Sequence, residues 1–318
     1  MSLFTRYLTE AHRAALSKRV TSNGVRLEDV IRSGLRYPDS SIGVYAPDRQ
    51  SYEVFCELFE PFLEDFRAPA LTLRSDLACL NPAAVVSTRI RMARNLVGHL
   101  FPAGMSRPER LTVEEKIMHA CRKLVPDFGG TITQLKDIPA QQLDAMVSSQ
   151  LAFGPEDKYM AAAGIHADWP HGRSVFNAQT KQRQLSVWIN EEDHLRVAVV
   201  MPGACISACY QVMACVMAIL SAHLDFCEDA QRGFLTSCPS NVGAAMRTSY
   251  RAVVPLDASQ EPLLQGLESA GLVQVRGVAG EHAPRTGGFV DVSFRNRVGI
   301  SEAQMLWGMG RLLYEADA

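Results

Sequence analysis

The sequence predicts an α+β protein: a small all-α N-terminal domain over residues 1–75, then a large domain over residues 84–318 in which an antiparallel β-sheet is flanked by helices. Three observations predict it. Apolar residues recur at helical spacing in the first seventy or so residues. Pro69 and Pro82 bracket a stretch with little periodicity, which reads as a linker. Beyond it, short β-branched runs alternate with helical runs, and two of these runs flank a short acidic turn as a hairpin would.

In chain order, Asp29 to Leu35 reads as a helix with Gly34 as its stop signal, and Ser51 to Phe66 as one helix carrying Val54, Phe55, Leu58, Phe59, Phe62, Leu63 and Phe66 on its apolar face. Strands are expected at Val85 to Arg91, Ser186 to Asn190, Leu195 to Val200, Gly233 to Ser237, Tyr250 to Pro255, Leu272 to Arg276 and Phe289 to Phe294. Helices are expected at Arg110 to Leu124, Ile206 to Leu224, Glu261 to Ala270 and onward from Ser301, where Ser301 and Gln304 have the spacing of a capping box.

The chain has 318 residues, 47% of them hydrophobic and 21% charged, with a formal net charge of −2. That is enough apolar content for a core, and too balanced a charge to argue for nucleic acid or an anionic membrane as partner. The longest apolar stretch, Ile206 to Leu224, is interrupted by Ser207, Gln211, Ser221 and His223, and reads as a buried helix rather than a span. The N-terminus carries Glu10 and no uninterrupted apolar run, so no secretory or transit signal is read there. The eight cysteines include no CxxC pair and read as reduced thiols of a cytoplasmic protein.

Four clusters carry chemistry. On a strand, Arg89 and Arg91 of Ser87-Thr88-Arg89-Ile90-Arg91 point to one face, where two guanidinium forks suit phosphate oxygens. Taken alone, the pair reads first as a solvated strand face with surface salt bridges. Asn190-Glu191-Glu192-Asp193-His194-Leu195-Arg196 offers acids that could take a cation, a metal or a guanidinium, or form an exposed acidic turn. In Thr236-Ser237-Cys238-Pro239-Ser240-Asn241-Val242-Gly243, followed by Arg247, amides and the Ser240 hydroxyl could hold Cys238 as a thiolate; a buried structural cysteine is the plain alternative. Between Arg276 and Gly288, four glycines in twelve residues predict a mobile loop that carries Glu281 and could close on a ligand. No Walker, GxGxxG, HRD, DFG or HExxH motif is present.

Together these segments, in this order, resemble the phosphagen kinase family, and Asn23-Gly24-Val25-Arg26-Leu27-Glu28 and Gly43-Val44-Tyr45-Ala46-Pro47-Asp48 resemble its small helical domain. The resemblance covers nearly the whole chain and implies transfer of the ATP γ-phosphoryl to a guanidino nitrogen. By position it implies that Ser87, Arg89, Arg91, Arg196, Arg247, Arg251 and Arg276 bind the nucleotide. It also implies that Glu192, Glu281 and Cys238 hold the guanidinium, and that Gly24, Val25 and Glu28 line the rest of the substrate. The cofactor implied is ATP/ADP with Mg²⁺ carried on the nucleotide, with no side chain as metal ligand. The partner implied is a small guanidino compound, and the protein a monomer or homodimer.

The segment Gly280-Glu281-His282 resembles arginine kinases, so L-arginine is the expected substrate. Glu28 stands where that branch has a tyrosine, and a carboxylate there would repel the α-carboxylate of arginine. Asn177 and Arg251 occupy positions that are often histidine near the adenine, and Val278 and Ala279 also depart from the branch. Two other readings stand beside this one. Arg89-Ile90-Arg91-Met92-Ala93-Arg94-Asn95 resembles the bacterial protein-arginine kinases, and a silent nucleotide-binding homologue would share the fold.

Overall fold

The structure is a computed structural model and describes residues 3–67, 79–253, 260–277, 288–295 and 297–313. The N-terminal part is helical: α1 (Leu3–Tyr7), α2 (Glu10–Leu16), α3 (Leu27–Arg36), α4 (Ser51–Val54) and α5 (Cys56–Asp65). Gly34 does not stop α3, which runs on to Arg36. It lies where the helix touches the chain at Gly43, and a Cβ there would sit 2.7 Å from the Gly43 carbonyl oxygen. The helix expected from Ser51 to Phe66 is two pieces, because Phe55 leaves helical geometry at φ −114°, ψ 36°. Its ring is fully buried beside Tyr52, Phe59 and Phe62, so packing outweighs continuity of the backbone ladder.

This helical core is not self-contained. Phe101, Leu235, Val242 and Val298 of the large domain belong to the same apolar cluster. The Tyr52 hydroxyl also donates to the Thr236 carbonyl at 2.8 Å, and the Ala46 N–H to the Ser237 carbonyl at 2.7 Å. The small domain is thereby seated on the segment that leads to Cys238.

The large domain holds an eight-stranded, wholly antiparallel sheet. Its strands are β1 (Val85–Arg94), β2 (Thr131–Gln134), β3 (Ser174–Gln179), β4 (Gln184–Ile189), β5 (Leu195–Pro202), β8 (Met246–Val253), β9 (Val273–Gly277) and β10 (Phe289–Phe294), in the order β2-β3-β4-β5-β1-β8-β10-β9. A separate hairpin pairs β6 (Glu228–Asp229) with β7 (Gly233–Phe234), so the strand expected from Gly233 to Ser237 ends at Phe234. The expected hairpin of β4 and β5 forms, with Ile189 opposite Leu195. The helices of this domain are α6 (Arg107–Arg122), α7 (Val125–Phe128), α8 (Ala140–Ser148), α9 (Lys158–Ala162), α10 (Ile206–Ser221), α11 (Gln260–Ser269) and α12 (Glu302–Arg311). The Ser301 and Gln304 side chains cap α12 reciprocally.

Alternation divides the sheet into two unlike faces. Ile90, Met92, Val187, Val197, Val199, Tyr250 and Val292 point one way into the main core, under α6, α10 and α12. Burying each such side chain stabilises the fold by about 1.5–3 kcal/mol, and Ile90→Ala would cost about 2–5 kcal/mol. The other face of the central strands carries Arg89, Arg91, Arg196 and Arg247. A register shift between Val85 and Ser87 turns Val85 to the apolar side opposite Ala252 and keeps Ser87 opposite Arg251. No helix among the described residues is long and apolar enough to cross a membrane.

Candidate active site

The polar face is built by strand register. Arg91 stands directly opposite Arg247, Arg89 opposite Ser249, and Asp291 opposite both Arg251 and Arg276. Like charges opposite each other destabilise a sheet, so Arg91 beside Arg247 is a local expense with no structural return. Asp291 relieves part of the cluster by a two-pronged pair with Arg251, at 2.9 Å and 3.3 Å. The Arg247 fork donates to the Ser293 hydroxyl at 2.9 Å, and the Arg89 fork to the Gln150 amide oxygen at 2.8 Å. Among the described residues the Arg91 guanidinium makes no hydrogen bond or ion pair.

The turn between β4 and β5 parts one of three consecutive acids from the other two. Asn190 takes a left-handed conformation, φ 57°, and its amide donates to the Arg110 and Gly172 carbonyls. Asp193 turns inward, where one oxygen accepts from Asn95 at 2.7 Å and from the Ser237 N–H at 2.6 Å. It therefore fixes the approach to Cys238 and does not line the cavity on which Cys238 opens. Glu191 and Glu192 turn outward and share Arg196, each accepting from it at 2.8 Å. The acids read from the sequence as a possible metal site thus do not converge, and among the described residues no group of three or more His, Cys, Asp or Glu could hold a metal ion.

Cys238 is buried at the mouth of a one-turn helix, Pro239–Asn241, with its sulfur 3.1 Å from the Ser240 hydroxyl. It opens on a cavity of about 890 Å³ walled also by Glu191, Glu192, Arg89, Arg91, Arg196, Arg247 and Arg276. Seven of the residues assigned from the sequence to nucleotide or guanidinium therefore share one chamber, Glu192, Cys238 and the five arginines, and Ser240 lines it too. Ser87 and Arg251 lie on the same sheet face but outside the chamber's walls; Gly24, Val25 and the exposed Glu28, in the helical domain, are also outside those walls. Glu281, Val278 and Ala279 lie outside the described residues. Asn177 donates to the Leu151 carbonyl at 2.9 Å and is likewise outside the walls. Gln150, Asn241 and Arg297 line the chamber and were not singled out. Asn241 was within reach, since it follows Cys238 and Ser240 in a segment already marked.

Residues 112–314 match the sequence profile described as ATP:guanido phosphotransferase, C-terminal catalytic domain, and residues 1–64 that of the N-terminal domain of the same enzymes. The chain belongs to the ATP:guanido phosphotransferase family. Its relatives include the arginine kinase of Anthopleura japonica, 33% identical over 97% of this chain and 45% of that protein. The arginine kinase of Limulus polyphemus is 31% identical over 95% of this chain and 88% of that protein. Among solved structures, the duplicated taurocyamine kinase of Schistosoma mansoni with bound transition state analog components superposes with a TM-score of 0.84 at 30% identity, covering 97% of this chain and 45% of that one. A lombricine kinase superposes with a TM-score of 0.82 at 26% identity, covering 97% and 88%. The chain thus spans less than half the length of the Anthopleura and Schistosoma proteins.

In this member of the family the chamber is electrostatically loaded. Arg91 is held well below its ordinary range, first by the charge of Arg89, then by burial, then by Arg247, Arg196 and Arg297. Burial pulls Arg89 down to about 10, partly offset by Asp291. Burial also pulls Arg196 down, but the charges of Glu191, Glu192 and Asp193 outweigh it and leave it raised. Glu192 is raised to about 8 by burial, with Glu191 and Asp193 adding to the shift and Arg196 opposing it. The Cys238 thiol is pushed up by burial and by Glu192, and the Ser240 hydrogen bond pulls it back only in part. The thiolate expected from the sequence is therefore not the favoured form here: Ser240 stands where it was expected, but desolvation is the stronger effect.

Proposed function

We propose that this protein is a phosphagen kinase. It would transfer the γ-phosphoryl of MgATP, reversibly, to a guanidinium nitrogen of a small substrate, L-arginine before others, and the phosphoarginine and ADP formed would serve ATP buffering. One observation carries the reading: an acid and a thiol, Glu192 and Cys238, share a chamber with five arginines. The arginines crowd against one another and gain most from a polyanion, and the acid gains most from a planar cation.

In the transfer, an N–P bond forms as the bond from the γ-phosphorus to the bridging oxygen breaks, and the attacking nitrogen loses a proton. Negative charge spreads over the transferring oxygens, where Arg89, Arg91, Arg196, Arg247 and Arg276 would meet it. Magnesium carried on the nucleotide would supply further positive charge, held by phosphate oxygens and water. Glu192 and Cys238, with Glu281 as the partner expected from the sequence, would orient one nitrogen in line, and a carboxylate would take its proton. Alignment of this kind is worth up to about 7–11 kcal/mol in favourable cases.

L-arginine is favoured by the arginine kinase relatives, while the taurocyamine and lombricine kinases among the structural neighbours require that the guanidino substrate be tested. The test is ADP release over a panel of guanidino compounds, with Cys238→Ala as control. Turnover with arginine that falls in the variant supports the reading. Absence of turnover with every compound and with an unfolded arginine-containing protein refutes it.

A further inference from the structure

Among the described residues, Glu192 is gripped through one oxygen only. Its Oε2 accepts from Arg196 Nη2 at 2.8 Å and from Asn241 Nδ2 at 3.1 Å. Its Oε1 accepts nothing among the described residues, and the side chain lines the chamber. On its other edge, Asn241 accepts from Arg297 Nη1 at 3.1 Å through Oδ1. A guanidinium can only donate and a carboxylate only accept, so the amide has a single orientation that satisfies both neighbours. No charged side chain could do this: an acid would repel Glu192, and a base would repel Arg297.

Asn241 also ends the one-turn helix that begins after Cys238, and its own N–H donates to the Cys238 carbonyl at 3.1 Å. One turn of chain therefore carries both the sulfur and the amide that restrains the acid. We propose that Asn241 is a positioning residue, tying the Glu192 carboxylate to the Cys238 turn and to Arg297 so that Oε1 is presented to the guanidinium nitrogen. This rests on the function proposed above. Without the amide, Glu192 keeps Arg196 but gains freedom to swing, because Arg196 is itself shared with Glu191. A carboxylate displaced by about 1 Å still binds a cation but no longer aligns it, which costs turnover more than affinity.

The experiment compares the full chain with Asn241→Leu and Asn241→Asp, two replacements of similar size. Asn241→Leu removes both hydrogen bonds without adding charge. It is expected to lower kcat about ten- to hundredfold while the nucleotide dissociation constant stays within about twofold. Asn241→Asp keeps the acceptor for Arg297 but turns a negative charge on Glu192. That charge adds to Glu191, Asp193 and Asp157, with Cys238 also near, while Arg196 opposes it and Arg297, already bonded to residue 241, offsets part of the new charge. The acidic limb of the kcat/KM profile for the guanidino substrate should therefore move to higher pH, a change that a loosened fold would not produce. The inference is overturned if both variants keep kcat and guanidino KM within about twofold of the parent, or if Asn241→Asp leaves the acidic limb in place. A parent protein that turns over no guanidino compound refutes the functional reading itself, and this inference with it.

Discussion

Arg196 holds Glu192 by a 2.8 Å hydrogen bond from Nη2 to Oε2, and holds Glu191 by a second bond of the same length. A guanidinium of the protein thus sits on the carboxylate assigned above to the guanidinium of the substrate, while belonging to the arginine set assigned to phosphate.

Phosphate oxygens would compete with both glutamates for Arg196, and Glu192 would then need another cation. Nucleotide should therefore tighten guanidino binding. Calorimetry is expected to give a guanidino dissociation constant about five- to hundredfold lower with MgADP present than without, and the guanidino compound should tighten MgADP by the same factor. Arg196→Gln should remove most of this coupling. Equal guanidino affinity with and without MgADP would dismiss the exchange.

Arg91 carries a second consequence. It faces Arg247, it has Arg89, Arg196 and Arg297 as further like-charged neighbours, and its charged form is disfavoured. Arg91→Gln should leave the protein at least as stable as the parent without nucleotide, with a gain of about 1 kcal/mol seen as about 1–2 °C in Tm. The same variant should lose most of the Tm increase that MgATP gives the parent. A variant less stable than the parent in the absence of nucleotide would show that Arg91 supports the fold instead.

Much of this was legible in the sequence because period and charge were written together. Six of the eight sheet strands stand near where β-branched runs and turns place them, and the alternation of Arg89, Ile90 and Arg91 gives the two faces directly. The two missed strands lacked that signal. Thr131–Gln134 is a four-residue edge strand after two glycines, and Ser174–Gln179 is buried on both faces at Ser174, Val175 and Phe176, so its pattern has no period of two. At the site, residue type announced the arginines, Glu192 and Cys238. It did not announce Gln150, which reaches Arg89 only through a left-handed turn at φ 59°, or Arg297, which reaches Asn241 across the fold. The direction of the Cys238 shift was also beyond the sequence, since motif chemistry names the hydrogen bond and only packing gives the burial.

Glu28 tests substrate identity. It is exposed in the first turn of α3, outside the described walls of the chamber, shortly after Gly24 and Val25, with which it was assigned to the far end of the substrate. A carboxylate near the α-carboxylate of arginine would cost about 1 kcal/mol in a watery setting, about fivefold in KM. Glu28→Tyr should lower the arginine KM by that factor and leave the nucleotide KM unchanged, while a guanidino amine without a carboxylate should respond in the opposite direction. If the arginine KM does not move, Glu28 does not read the substrate.

Glu192 links stability and activity with opposite signs. Its carboxyl titrates near 8 in the folded protein against an ordinary value of 4.5, because burial and the neighbouring acids disfavour its charge. Folding therefore favours the protonated form. The contribution is fully present below about pH 4.5, falls as pH rises through about 8, and is lost above that. Binding a guanidinium needs the ionised form, so kcat/KM for the guanidino substrate should climb toward pH 8 and then level. Glu192→Gln cannot ionise. Its Tm should exceed that of the parent at pH 9, the difference should shrink at pH 5, and its turnover should be lost at both. A Tm difference that does not change with pH would mean that Arg196 keeps Glu192 ionised throughout, and that the climb in activity belongs to another group.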